Sequence, residues 1–546
     1  MTNTSPVNIA IHLPKMAQQH PDRVAVYCPN HRSVNTTASY TQITYKQLES
    51  QSNCIASGLL ASGIKRGDRV VLMVTPGQEF FALVFAMFKI GAVMVCVDPG
   101  IGTKNLGKCL EEAQPSAYIG IPKAQLARLI FRWGRSTIKT KITVGPWLGL
   151  TLNKVIKRGT DTALMADTTT DEPAAILFTS GSTGIPKGVL YTHGNFVAQV
   201  QALIDGFDIK PGEIDLCTFP LFALYAPAMA MTAVIPVMDF TRPGSVDPRH
   251  IIDPIKAFGV NNLFGSPALL KRVGEFGEKN KTKLPTLRRV ISAGAPVLAT
   301  VMQTFKTMLN PEVQIFTPYG ATESLPVAIL GSDIILKHTA PLTAQGKGVC
   351  VGKPVANMEA RIIRILDSPI DEWSDDILQD QHTVGEICVK GPQVTASYFG
   401  REHANALAKI TDPAGGFWHR MGDLGYFDDE GRIWFCGRKS QRVQNQHGIF
   451  YTICCEGVFN THPKVARTAL VDGQKNRTAI CVELHDNVMP SEHITIRNEL
   501  LELGSLHTHT LSIKHILFYP SFPVDIRHNA KINREFLGKW AAEQLP

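Results

Sequence analysis

The chain has 546 residues, 44% hydrophobic and 19% charged, a length that calls for at least two domains and a composition that excludes disorder. Lysine and arginine exceed aspartate and glutamate by a net +8, which suits an anionic ligand, an acidic partner or an anionic membrane surface, although it reads as diluted over the whole chain. Eleven cysteines with no CxxC pair and no metal-ligand spacing predict free thiols in a reducing cytoplasm; no nucleic-acid partner is expected.

Residues 1–15 lack a basic stretch leading into an apolar core, so no signal peptide is expected. Helical spacing over 45–63, a strand at 69–74, a helix at 79–90 and a strand at 93–98 set up an alternation that predicts parallel sheet covered by helices. The apolar stretch 80–97 is broken by Lys89 and Gly91 and ends at Asp98-Pro99. It reads as a buried helix followed by a strand, and no transmembrane segment is expected. Residues 102–109 nearly match a Walker A loop, but Cys109 stands where a hydroxyl should coordinate magnesium, and Leu106, Leu110 and Ala113 share one helix face.

The run Thr179-Ser180-Gly181-Ser182-Thr183-Gly184-Ile185-Pro186-Lys187-Gly188 packs glycines, hydroxyls and one lysine into ten residues. It describes a backbone able to wrap phosphate oxygens with N–H groups, O–H groups and a cation. Gly188 after Lys187 excludes Walker A, and the apolar flanks 174–178 and 189–191 place the loop between two strands. Helical spacing resumes at Phe196, Val197, Val200, Leu203 and Ile204. Apolar runs at 214–219, 262–265, 289–292 and 314–318 each end in small residues, where ligand loops are expected. The basic stretch 279–289 reads as a solvated face.

From residue 346 the pattern changes to short strands with close turns, such as 385–390 and 432–435. Polar 437–448 reads as a linker, and the last hundred or so residues as a small α+β domain. Vicinal Cys454 and Cys455 are expected as strand or turn neighbours pointing apart, and His507 and His509 likewise.

Three short motifs add chemistry to the loop. Tyr319-Gly320-Ala321-Thr322-Glu323 offers a hydroxyl for a phosphate and a carboxylate of the kind Mg²⁺ prefers. Gly422-Asp423-Leu424-Gly425 offers an acid on a glycine-bounded turn, suited to ribose hydroxyls. Ser292-Ala293-Gly294-Ala295-Pro296 lets a flat base approach the backbone. Each alone is compatible with a plain turn.

Taken in this order, with Gly437-Arg438 and the late Asn529-Ala530-Lys531-Ile532, the motifs resemble the acyl-adenylating superfamily over nearly the whole chain. The resemblance implies an α/β fold with a large multilayer N-terminal AMP-binding domain at 1–438 and a small mobile α+β lid at 439–546. It implies ATP and Mg²⁺ as cofactors, with Thr179, Ser180, Gly181, Ser182, Thr183, Gly184 and Lys187 on the triphosphate. Gly294, Ala295, Tyr319, Gly320 and Thr322 fall to the nucleotide, Glu323 to the metal, and Asp423 and Arg438 to the ribose. Lys531, with Glu323 and Thr322, is the implied catalytic set, the lysine bridging acyl and phosphate oxygens as charge develops.

Departures narrow the branch: Ala223 follows Pro220-Leu221-Phe222 where many acyl-CoA synthetases carry histidine, Met421 replaces a threonine, and Ser440 stands at the usual hinge position. Residues 217–227, 418–423 and 522–531 are similar to bacterial olefin-biosynthesis β-lactone synthetases of the OleC type. That resemblance implies a long-chain β-hydroxy fatty acid as substrate and, as pathway partners, a thiolase-like enzyme, a reductase and a β-lactone decarboxylase. A medium- or long-chain acyl-CoA ligase and a non-catalytic adenylate-binding scaffold are the rival readings. Phe222, Leu224, Tyr225, Met229 and Met231 either line an apolar acyl pocket or pack the core.

Overall fold

The computed structural model describes residues 6–30, 39–97, 101–179, 186–219, 225–474, 477–524 and 532–545, with Thr179 placed by its backbone only. Its larger sheet has 14 strands. Strands Val24–Pro29, Thr232–Val234, Ile214–Cys217, Asn262–Phe264, Arg289–Ile291 and Gln314–Ala321 run parallel to their neighbours in that order. The sheet continues antiparallel through Ser324–Gly331, Val349–Pro354, Ile433–Arg438, Phe417–Phe427, Gly385–Lys390 and Glu359–Ile363.

A second sheet of seven strands carries the parallel run Thr140–Thr143, Ala117–Gly120, Arg69–Met73, Val93–Val97 and Pro173–Thr179. It ends with antiparallel Lys187–Thr192 and Ser397–Tyr398. Helices Tyr45–Ala61, Gln78–Lys89 and His193–Phe207 contribute to one core cluster that draws buried residues from both sheets. The middle helix is buried from Phe80 to Lys89, which explains why its sequence is apolar all round. Lys89 is tolerated there because all three ammonium protons find acceptors, Glu49 Oε2 at 2.7 Å, Ser52 Oγ at 2.7 Å and Asn53 Oδ1 at 2.6 Å. No helix among the described residues is long and apolar enough to cross a membrane.

Residues 103–113 form the expected helix, with Leu106, Cys109, Leu110 and Ala113 buried. At the C-terminal end, strands Val465–Asp472, Thr478–Leu484 and His515–Phe518 form a three-stranded sheet beside helices Thr452–Phe459, His493–Ser505 and Arg534–Gln544.

Three expectations are corrected. Cys454 and Cys455 lie in the helix Thr452–Phe459 rather than a strand or turn; burial of that helix on several sides supplies the apolar run that mimicked a strand. Residues 437–448 are not a structureless linker: Val443–Asn445 and Gly448–Phe450 form a hairpin pinned by buried Val443 and Phe450. Gly422-Asp423-Leu424-Gly425 lies inside the long strand Phe417–Phe427 rather than on a turn. The positive φ of Gly422, 65°, interrupts that strand without ending it.

Candidate active site

The pairing of Thr179 with Lys187 closes the hairpin around the glycine-rich loop. Ser180, Gly181, Ser182, Thr183 and Gly184 lie outside the described residues. Lys187 opens the second strand, and its ammonium sits 4.7 Å from the ring centroid of Tyr398. Tyr398 is fixed there because Ser397–Tyr398 pairs with Leu190 and Val189.

Thr322 and Glu323 occupy the two-residue turn between strands Gln314–Ala321 and Ser324–Gly331, where Ala321 pairs with Ser324. The turn is clamped from both sides. Tyr191 donates its hydroxyl to the Thr322 carbonyl, and Thr395 donates to the Glu323 carbonyl from its backbone N at 2.9 Å and its hydroxyl at 3.2 Å. The Tyr398 hydroxyl donates to Glu323 Oε1 at 2.7 Å. Burial, then the neighbouring Glu323 carboxylate, raises the Tyr398 pKa, so the phenol stays a donor.

Asp423 faces Arg438 across adjacent strands. Tyr319 donates to Asp423 Oδ2 at 2.7 Å, and Arg438 Nη1 lies 2.8 Å from Oδ1. That second contact is an ion pair without hydrogen-bond alignment, and Oδ1 is buried without a hydrogen-bond donor among the described residues. Burial pushes the Asp423 carboxyl up while Arg438 and Tyr319 pull it down. Gly294, at φ 97°, turns the small-residue loop after strand Arg289–Ile291 in a conformation that side chains rarely adopt.

Lys187, Gly294, Ala295, Gly320, Thr322, Glu323 and Arg438 all line one cleft of about 1820 Å³. Tyr319 and Asp423 stand behind this surface, Asp423 buried beside Arg438 and Gly422, which do line it. The cleft continues into an apolar branch walled by Phe80, Leu177, Phe196, Leu203, Phe219 and Phe264. Tyr225 lines it, whereas Met229 and Met231 are core residues; Phe222 and Leu224, like Ala223, lie outside the described residues.

Lys531 also lies outside the described residues. Its flanks are informative, however: Val524 bridges antiparallel to Ile532, and both line the cleft together with Asn533 and Arg534. The start of the C-terminal segment is tied down by a buried carboxylate. Glu386 Oε2 lies 2.6 Å from Arg420 and 3.1 Å from Lys439.

Sequence reasoning missed Tyr398, Lys409 and a polar relay in the apolar branch. Tyr225 donates to Gln199 Oε1 at 2.5 Å, Gln199 Nε2 donates to Tyr191 at 3.1 Å, and Tyr191 donates onward to Thr322. Gln199 follows Phe196 by three positions on a buried helix face, so an amide among apolar neighbours was the available signal. Its second amide proton makes no hydrogen bond to a described residue. Lys409 donates to the Thr395 carbonyl, and burial lowers its pKa to about 7 against the pull of Glu323.

Among the described residues no group of three or more His, Cys, Asp or Glu could hold a metal ion. The donor set still fits Mg²⁺, which keeps waters and phosphate oxygens and needs only one or two carboxylates. Glu323 Oε2 accepts no hydrogen bond from a described residue and faces the same cleft as Lys187.

A family model described as AMP-binding enzyme matches residues 13–399. The chain is 48% identical to the olefin β-lactone synthetase of Xanthomonas campestris pv. campestris, covering 99% of this chain and 98% of that protein. It is 47% identical to the olefin β-lactone synthetase of Stenotrophomonas maltophilia, covering 99% of both. Among solved structures, ATP-bound MatB from Rhodopseudomonas palustris superposes with a TM-score of 0.78 at 21% identity over 99% of this chain and 100% of that one, a likeness of fold.

Proposed function

The chain belongs to the AMP-binding enzyme family, and we propose that it converts a long-chain β-hydroxy acid and ATP into a β-lactone, AMP and pyrophosphate. The observation that carries the choice within the family is the 48% identity to a β-lactone synthetase over essentially the full length of both chains. An acyl-CoA ligase shares the first half of this chemistry and is less favoured on the same ground, and a non-catalytic scaffold needs neither a metal carboxylate nor a mobile lysine.

In the first step a carboxylate oxygen bonds to the α-phosphorus and pyrophosphate leaves. Lys187 and the loop 179–184 hold the triphosphate, Gly294 and Ala295 flank the base, and Asp423 with Arg438 takes the ribose hydroxyls. Glu323 is the residue that would hold Mg²⁺, which supplies positive charge to the phosphate oxygens. Tyr398 fixes the carboxylate for that role. Residues 439–546 act as a lid that brings Lys531 to the acyl and phosphate oxygens; the cleft-facing Val524 and Ile532 beside it support that assignment.

In the second step the substrate's β-oxygen bonds to the acyl carbon, the bond from that carbon to the phosphate oxygen breaks, AMP leaves, and the hydroxyl proton passes to phosphate or solvent. The nucleophile and electrophile are in one molecule, which removes the entropy of recruiting a second nucleophile. The amide of Gln199, held by Tyr191 and Tyr225, donates to the β-oxygen and orients it in an otherwise apolar branch. A thiolase-like enzyme and a reductase would supply such an acid and a β-lactone decarboxylase would consume the product.

Product analysis tests the reading. A long-chain β-hydroxy acid with ATP and Mg²⁺ is expected to give β-lactone without coenzyme A; an acyl-CoA as main product, or no turnover until coenzyme A is added, overturns it.

A further inference from the structure

The net positive charge of this protein is concentrated, not diluted. Between Gln114 and Thr160 the chain carries nine lysines and arginines and no aspartate or glutamate. This segment holds the helix Pro122–Ile130, the edge strand Thr140–Thr143 and the helix Leu152–Arg158. Lys123, Arg132, Arg135, Lys139 and Lys141 are all exposed, and nothing acidic in the segment offsets them.

The same segment exposes large apolar side chains, three of them consecutive. Leu129 is 55% exposed, Ile130 64% and Phe131 50% at the end of the helix, and Leu148 is 92% exposed on the loop 145–149. That loop adjoins the helix: a Cβ on Gly145 would lie 3.6 Å from Pro122. Scattered apolar residues on a surface need no explanation, but three consecutive exposed ones at a helix end, flanked by exposed cations, do.

The inner side of this helix belongs to the cleft. Ala124 and Ala127 line it, as does Trp133, against which exposed Phe131 stacks with ring centroids 5.4 Å apart. The helix that carries the exposed apolar patch therefore also lines the cleft, on the opposite face of the seven-stranded sheet from the apolar branch.

We propose that residues 122–135, with the loop 145–149, dock on an anionic lipid bilayer, the apolar side chains entering the acyl boundary and the surrounding lysines and arginines meeting the headgroups. Apolar insertion with a basic rim is the pattern of peripheral membrane association, and each basic residue near an anionic surface adds electrostatic attraction that salt weakens. Docking there sets one wall of the cleft against the bilayer. If the substrate is the long-chain acid proposed above, it and its lactone would pass between cleft and lipid without crossing water; that corollary rests on the proposed function, whereas docking does not.

The test is sedimentation of the full-length protein with vesicles of pure phosphatidylcholine and of phosphatidylcholine with phosphatidylglycerol. Wild type is expected to bind the anionic vesicles at least about 10-fold more strongly, and to lose that preference in high salt. Leu129→Ser/Ile130→Ser/Phe131→Ser and, separately, Arg132→Glu/Arg135→Glu are each expected to weaken binding about 10-fold or more while thermal unfolding stays that of wild type. No wild-type preference for anionic vesicles, or undiminished binding by both variants, overturns the proposal. So does light scattering that shows a wild-type dimer dissolved by the first variant without any lipid binding, since a second copy would then cover the patch.

Discussion

The Tyr398 hydroxyl donates to Glu323 Oε1 at 2.7 Å while the Lys187 ammonium lies over the Tyr398 ring. One aromatic side chain thereby links Lys187 at the end of the glycine-rich loop to the carboxylate proposed to hold the metal. The consequence is that Glu323 presents one constrained oxygen to tyrosine and the other to the cleft.

Tyr398→Phe removes that donor without changing the ring. Pyrophosphate release is expected to slow about 5- to 10-fold, the usual cost of one hydrogen bond, with the Mg²⁺ concentration for half-maximal rate also shifted. Glu323→Gln is expected to raise the Mg²⁺ requirement more and to be partly rescued by excess metal. An unchanged metal dependence in Glu323→Gln would move the ligand role elsewhere.

Gln199→Leu preserves bulk and deletes the amide that the relay orients. Competition between a β-hydroxy acid and the unsubstituted acid of equal length is expected to show about 10-fold lower preference for the hydroxy acid in first-step kcat/KM. Equal preference in variant and wild type would remove Gln199 from substrate recognition.

Burial lowers the Lys409 pKa to about 7, far below that of the unfolded chain. Between these values the unfolded state binds the extra proton, so this group makes stability rise with pH from about 7 upward. Lys409→Met lacks the titration. The stability difference between wild type and variant, from denaturant midpoints at successive pH values, is expected to move in favour of wild type as pH increases above 7. A difference flat in pH would place the lysine in a more solvated setting.

Lys531→Ala is expected to reduce pyrophosphate release by about 10²- to 10³-fold, the cost of one charge-stabilising donor, with folding little changed. A wild-type rate in the variant would overturn the assignment.

Much of the fold was legible because its signals are local. The period of the apolar runs predicts helices over 45–63 and 79–90, where the structure has Tyr45–Ala61 and Gln78–Lys89, and glycine with lysine between two apolar runs predicts the hairpin that pairs Thr179 with Lys187. The setting of Asp423 is misread from sequence: a glycine on each side reads as a turn, whereas its strand is held by pairing with residues 385–390 and 433–438, contacts distant in sequence. Tyr398 and Lys409 escaped for the same reason, since each acquires its partner only when separate strands meet. Cys454 and Cys455 illustrate the opposite failure, in which a short apolar run fits strand and buried helix equally well.

The central claim is that the substrate's own hydroxyl displaces AMP from an acyl-adenylate, and oxygen labelling tests it most directly. A β-hydroxy acid carrying ¹⁸O in its carboxylate is expected to deliver one label to AMP and keep the other in the lactone carbonyl, while ¹⁸O placed in the hydroxyl stays in the lactone ring. AMP without carboxylate label, or loss of the hydroxyl label to phosphate, would contradict the account.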